Sequence, residues 1–435
     1  MGPLYRAFST LLFGLLLPFL AFHPKLKQGL GRRLGRYPDD VWPPSRGAGP
    51  RIWLHGASAG DVLALVPIVT ELRSRCPDAT LVVSAMTGSG HTMATTRLGA
   101  LVDAITYVPY DFPFATRRAV AAIRPTLLVL EYAEIWPNLI CAARSFGSRI
   151  VLVNGRFSES LVPRYRWFHR IFGNPLSVVD LFLMREEVEA DRALALGAPH
   201  DRVRATGNTK FDNLASGPPE PVLEALKVAL ASEGRSVFVF GSTHEGEEKR
   251  LAAVFRELRT VDPKLLLVVA PRYPERASRV EGIFAAAGFR VELRSALSAD
   301  RVRAKETDVV VLDTIGELLA AYSIARLVFV GGSFVSRGGQ NILEPAGQGR
   351  PVLFGPHMAN FRDSVEVLVG RGGIQVANPE ALARVARELL LRPDEIDRLG
   401  EMARVAVSKA RGASKRNADE LIRLIQEEAR ARATA

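Results

Sequence analysis

The side chains able to do chemistry fall in short stretches spread over the 435 residues. In His55-Gly56-Ala57-Ser58-Ala59-Gly60-Asp61, small residues follow an apolar run and end in a carboxylate. That carboxylate suits a general base at a strand-to-helix turn. It also suits a plain helix start, which the helix dipole favours by roughly 0.3–1 kcal/mol, and composition alone leans toward the helix start. Glu131 and Glu134 follow another apolar run and precede Trp136-Pro137-Asn138. Two carboxylates there are unusual for an ordinary connection, the alternative being a capped helix with Pro137 in its first turn. Lys210 stands alone in Asn208-Thr209-Lys210-Phe211-Asp212. A lysine there could neutralise a leaving phosphate or a substrate carboxylate, although an exposed lysine is the commoner explanation.

The second half of the chain carries a different chemistry. In Gly241-Ser242-Thr243-His244-Glu245-Gly246-Glu247-Glu248, a hydroxyl can cap a helix whose amides face an anion. His244, Glu245 and Glu248 match no standard zinc spacing, so no metal is expected there. Arg272 and Arg276 suit bidentate phosphate recognition. Asp313-Thr314-Ile315-Gly316-Glu317 ends one strand and opens a helix. Gly331-Gly332 and Gly338-Gly339 would let the backbone approach a ligand, and Glu344 on the next helix could hold a ribose hydroxyl pair. Each signal is weak alone, but together they predict a nucleotide site in this half.

Positioning these residues falls to apolar strands that alternate with helices from residue 51 onward. Nearly continuous apolar strands argue for parallel sheets covered on both faces. Gly and Pro residues break the pattern between 207 and 221, which predicts a linker at 213–221. The expected architecture is α/β: one doubly wound domain over 45–212 and a second, facing it, over 222–435, the latter including a helical tail. Ligands in such sheets sit beyond the carboxyl ends of the strands, where all the stretches above fall.

Composition is that of a folded globular protein, with 48% hydrophobic and 24% charged residues. Cys76 and Cys141 fit no metal spacing and read as buried thiols in a reducing compartment. The net charge of +11 is not accompanied by a nucleic-acid module, so nucleic acid is not an expected partner. Residues 7–22 are almost wholly apolar, close to the roughly 20 residues that a membrane span needs. Lys25, Lys27, Arg32, Arg33 and Arg36 follow. Residues 1–36 are therefore expected to anchor the chain, as a single span or an embedded helix, on an anionic membrane surface with its body in the cytoplasm.

Taken in order, these motifs resemble the Kdo (3-deoxy-D-manno-octulosonic acid) transferases. The match runs from about residue 28 to beyond 361 and includes the basic segment Gly29–Gly35. The resemblance implies the GT-B fold and inverting transfer of Kdo from CMP-Kdo to a lipid A precursor, lipid IVA, at the inner face of the bacterial inner membrane during lipopolysaccharide assembly. It implies Asp61 as base, with Glu131 and Lys210 as transition-state stabilisers. Pro271, Arg272, Ile315, Gly316, Glu317, Asn341, Ile342, Leu343 and Glu344 would contact CMP. No metal and no cofactor are implied. Asp61 stands where the family usually has glutamate, and Gln340 where it usually has histidine. The family's glutamate four residues before the tryptophan falls here on Tyr132, which assigns the role to Glu131 by a one-residue shift. A related GT-B transferase with another nucleotide sugar, or a non-catalytic homologue that kept the nucleotide site, is the alternative reading.

Overall fold

Runs such as Val237-Phe238-Val239-Phe240 are buried on both faces, which only the interior of a covered sheet allows. The computed structural model describes residues 2–22, 28–37, 49–214, 217–231, 234–298 and 301–434. Its first sheet holds β1 (Arg51–His55), β2 (Thr80–Ala85), β3 (Ala104–Tyr107), β4 (Leu127–Glu131), β5 (Arg149–Gly155), β6 (Leu181–Met184) and β7 (Val203–Ala205). The second holds β8 (Val237–Thr243), β9 (Leu266–Pro271), β10 (Val291–Leu293), β11 (Val309–Val311), β12 (Leu327–Val330), β13 (Val352–Phe354) and β14 (Gly373–Gln375). Their orders are β3-β2-β1-β4-β5-β6-β7 and β10-β11-β9-β8-β12-β13-β14. The named pairings are parallel, for example β1 with β4 and β8 with β12. The winding reverses between β1 and β4 in the first sheet and between β8 and β12 in the second. The ends of β1 and β4, and of β8 and β12, are thus the crevices where doubly wound sheets bind ligands.

The chain divides into two units, Met1–Asn213 with Arg411–Ala435, and Leu214–Ala410. This corrects the expectation for the end of the helical tail: Arg411–Ala435 joins the first unit, while the helices Pro379–Leu390 and Pro393–Ala410 stay in the second. In the tail helix Ala413–Thr434, Ala418, Leu421 and Leu424 join the core cluster of Ile52, Leu54, Leu65 and Ile68 in the first unit. Asp212 accepts from the Gly412 and Ser414 amides, both at 2.6 Å. An amphipathic stripe shows that a helix packs, not against which unit. The expected linker is also shorter than 213–221, because the helix Glu220–Leu230 begins inside it.

The N-terminal helix Pro3–Phe22 is held along one side. Tyr5 donates to Asp111 at 2.9 Å, and Phe13 stacks on Phe112 with ring centroids 4.0 Å apart. Leu11, Leu15, Phe19 and Phe22 remain exposed. No helix among the described residues is long and apolar enough to cross a membrane, so the single-span half of the expectation is not supported. Tyr5, Arg6, Ser9 and Thr10 dilute the apolar run. Arg33 is also not free to meet lipid. It is buried, donates to the Gln28 and Met86 carbonyls at 2.8 and 2.6 Å, and lies over the Tyr107 ring. Lys25 and Lys27 lie outside the described residues. Both cysteines are free thiols, half-buried rather than buried.

Candidate active site

The first unit gathers its chemistry at the ends of β1, β4 and β5. Ser58 caps the helix Ala59–Arg75, and Asp61 closes a capping box with it. The Ser58 amide and hydroxyl donate to Asp61 Oδ2 at 2.9 and 2.7 Å. The helix-start reading of Asp61 is therefore correct as structure. Both bonds fall on one oxygen, however, so the cap does not use up the carboxylate.

Glu131 ends β4 and is fully buried. The residues around it are held in uncommon conformations: Tyr132 has φ 63° and Asn154 φ 50°. Left-handed backbone at non-glycine residues costs free energy and persists only where the surroundings enforce it. Asn154 is enforced by Thr209, whose amide donates to Oδ1 at 3.0 Å and whose hydroxyl accepts from Nδ2 at 2.7 Å. The Thr209 hydroxyl donates in turn to the Ala64 carbonyl at 2.6 Å. Lys210, the next residue along the chain, is exposed, and its amide donates to Asn208 Oδ1 at 3.1 Å. Asn154 Nδ2 reaches Glu131 Oε1 at 3.5 Å, while Oε2 has no hydrogen-bond partner among the described residues.

Burial first, and then the neighbouring Asp61 carboxylate, raise the Glu131 pKa well above its ordinary value of 4.5, while the Lys210 ammonium pulls it down. Asp61 and Lys210 thus both act on Glu131. A linkage prediction follows from the sign of this shift. Above pH 4.5 the unfolded chain releases the Glu131 proton before the folded one does, so this group lowers stability as pH rises toward its folded pKa. Below 4.5 it contributes nothing. The Glu131→Gln variant lacks that loss. Its melting temperature relative to wild type should climb as pH rises from about 4.5; a difference independent of pH would contradict the buried-acid assignment.

Sequence reasoning did not single out His55, Asn154 or Thr209. His55 is buried, with Nδ1 3.1 Å from both the carbonyl and the hydroxyl of Ser84 and Nε2 3.7 Å from Glu134 Oε2. Glu134 also accepts from the Trp136 indole at 2.8 Å. The available signal was a polar residue directly before glycine at each strand end, in His55-Gly56 and Asn154-Gly155.

The second unit holds a cavity of about 390 Å³ beyond β8, β9 and β11. Of the predicted nucleotide contacts, Pro271, Arg272, Ile315, Gly316, Asn341 and Glu344 line it, joined by Ser242 and Gln340. Ile315 is 89% exposed at its mouth, an apolar surface on which a planar base could rest. Asn341 donates to Glu344 Oε1 and accepts from the Leu343 amide, both at 3.1 Å. Burial raises the Glu344 pKa. Three predicted contacts do not line the cavity. Glu317 is paired with Arg294 at 2.7 Å and accepts from Thr314, while the Ile342 and Leu343 side chains are buried in the core. Arg276 is likewise committed, to buried Glu248 at 2.8 Å.

The glycine pairs do something other than cradle a ligand. Fully buried Glu247 accepts from the amides of His244, Gly332, Ser333 and Phe334 at 2.9, 2.8, 3.1 and 2.9 Å. The amides expected to face an anion are therefore taken by the protein's own carboxylate. A Cβ at Gly331 would come within 2.7 Å of Thr243 Cα, and one at Gly339 within 2.4 Å of Met358 Sδ. These glycines let loops pack on one another. An anion in the cavity is left to side chains, chiefly Arg272 and Gln340. His244 packs edge-on to Tyr273 and accepts from Gln340 Nε2 at 3.2 Å. Burial, then Arg337, Arg276 and Arg272, lower its pKa and keep the ring neutral. Among the described residues no cluster of three or more His, Cys, Asp or Glu could hold a metal ion.

The chain is similar to proteins of one family. The family described as 3-deoxy-D-manno-octulosonic-acid transferase (kdotransferase) matches residues 28–213. A 3-deoxy-D-manno-octulosonic acid transferase of Haemophilus influenzae is 30% identical over 398 residues, covering 91% of this chain and 91% of that protein. One from Bordetella pertussis is 32% identical over 377 residues, covering 85% and 86%. Among solved structures, MurG of Acinetobacter baumannii superposes with a TM-score of 0.53 at 14% identity, covering 87% of this chain and 99% of that one. This last likeness concerns the fold alone, two parallel-sheet α/β domains of the GT-B kind.

Proposed function

The chain belongs to the 3-deoxy-D-manno-octulosonic acid transferase family, and from that premise we propose that it moves Kdo from CMP-Kdo to a hydroxyl of a lipid A precursor, lipid IVA, with inversion at the anomeric carbon. The observation that carries this reading is the similarity to a transferase of that name over 91% of both chains. The grouping of Asp61 with Glu131 and Lys210 supports it.

In this mechanism the Asp61 carboxylate takes the proton of the acceptor hydroxyl as that oxygen attacks the anomeric carbon. The bond from that carbon to the phosphate oxygen breaks, and CMP leaves with the electron pair. Burial and the neighbouring Asp61 carboxylate raise the Glu131 pKa, which suits Glu131 to stabilising charge at the reacting centre while Asp61 accepts the proton. Lys210 offsets charge in the transition state. Arg272 and Gln340 meet the phosphate, Glu344 the ribose, and Ile315 the base. An aspartate is one methylene shorter than the family's usual glutamate, and the capping box brings its backbone to the very start of the helix.

The exposed apolar side of the helix Pro3–Phe22 supports an embedded attachment to the cytoplasmic face of the inner membrane. Removing residues 1–22 should then release the protein from anionic vesicles, and retention would count against that role. The donor assignment is tested by competition. CMP should inhibit transfer far better than UDP or GDP; equal inhibition by the three would overturn it.

A further inference from the structure

A larger basin of the second unit, about 600 Å³, takes no part in the reading above. It opens beyond the carboxyl ends of β13 and β14, between the segment containing Ser336 and Arg337 and the segment containing Asn360 and Arg362, with Gln375 from the end of β14 also lining it. Its size falls within the roughly 300–1,000 Å³ of ligand pockets.

The two walls are fastened to each other. The Asn360 amide donates to the Gly338 carbonyl at 3.0 Å, and its side chain to the Arg337 carbonyl at 3.2 Å. The His357 amide donates to the Ser333 carbonyl at 3.0 Å, and the Gly355 amide to the Ser333 hydroxyl at 2.9 Å. Ser333 is itself held by Glu247 at 3.1 Å. The shape of the basin is therefore fixed by the fold, which limits the ordering cost of binding.

Its charge is unbalanced. Arg337 and Arg362 are exposed and make no ion pair among the described residues, and Glu366 is the one carboxylate in the described lining. Two guanidiniums beside a hydroxyl and two amide side chains form a site for a carboxylate or phosphate borne on a polyhydroxylated body. The segment that supplies Ser336 and Arg337 runs directly into Gln340 and Asn341, which line the nucleotide cavity. A ligand gripped in that cavity by its nucleotide has this basin as its neighbour.

We propose that the basin is the subsite for the carboxylated, polyhydroxylated sugar of the donor. Arg337 and Arg362 engage its carboxylate, and Ser336, Asn360 and Gln375 its hydroxyls. The inference rests on the reading of the chain as a CMP-Kdo transferase. A phosphate of the acceptor offers the same chemistry, and the assay separates the two sources. In an Arg337→Gln/Arg362→Gln double variant of the full chain, KM for CMP-Kdo should rise roughly ten- to a hundredfold, the range expected for lost hydrogen bonds to an ionised group. Inhibition by CMP alone and KM for the acceptor should stay at wild-type values, and the Arg337→Lys/Arg362→Lys variant should recover part of the loss. An unmoved donor KM, or a rise in the acceptor KM instead, overturns the proposal. Wild-type protein that CMP fails to inhibit overturns the donor reading, and this inference with it.

Discussion

Replacing Asp61 by asparagine should lower kcat by roughly 10²–10⁴-fold, the contribution of a positioned general base, while CMP binds the variant as it binds wild type. Asparagine separates the two roles of this side chain. Its carbonyl oxygen can still accept from the Ser58 amide and hydroxyl, which now donate to Oδ2 at 2.9 and 2.7 Å, so the capping box is largely kept. What it cannot do is take a proton at neutral pH. Alanine would remove both functions and cost about 1 kcal/mol of helix capping as well. The expected pattern is therefore a small change in melting temperature for Asp61→Asn, a larger one for Asp61→Ala, and the same collapse of turnover in both. An Asp61→Asn variant with wild-type kcat would leave Asp61 as a helix cap and nothing more.

Replacing Glu247 should be the most damaging change to stability. Its carboxylate accepts four backbone amides, from His244, Gly332, Ser333 and Phe334. In the Glu247→Ala variant these buried donors lose their acceptor, and each orphaned donor costs about 1–3 kcal/mol where water does not replace it. A net loss of about 3 kcal/mol or more is expected, which lowers the melting temperature of a domain near 200 residues by roughly 6–12 °C. Glu247→Gln should fare little better, because it sets an amide donor against amide donors. The loop after β12 leads to Gln340 and Asn341 of the nucleotide cavity, so CMP affinity should fall alongside stability. Melting unchanged within a degree or two would contradict the brace.

The strands were legible because their burial is nearly complete. A run such as Leu127-Leu128-Val129-Leu130 has no solvent face to spend on polar residues, and its type follows from that alone. Asp61 and Glu131 could be picked out because each closes a stretch that follows an apolar run, and Lys210 because it stands alone near the expected linker. What was not legible depends on contacts distant in sequence. Gly331 and Gly339 look like ligand-facing glycines until Thr243 and Met358 are found against them. Arg276 looks available for phosphate until Glu248 is found beside it, and Arg33 for lipid until Tyr107 is found under it. The tail helix Ala413–Thr434 carries a stripe that fits any apolar groove, and only the fold assigns it to Ile52 and Leu54 rather than to the sheet nearer in sequence. Asn154 and Thr209 went unnoticed because each is an ordinary polar residue whose importance lies in its partner.

The proposed activity is tested most directly by the mass of its product. The full chain would be incubated with CMP-Kdo and a tetra-acylated lipid A precursor, and the lipid read by mass spectrometry. The account predicts a lipid heavier by one or more whole Kdo residues, with release of CMP and no such product from the Asp61→Asn variant. A lipid of unchanged mass with wild-type protein that is folded and binds CMP would contradict it.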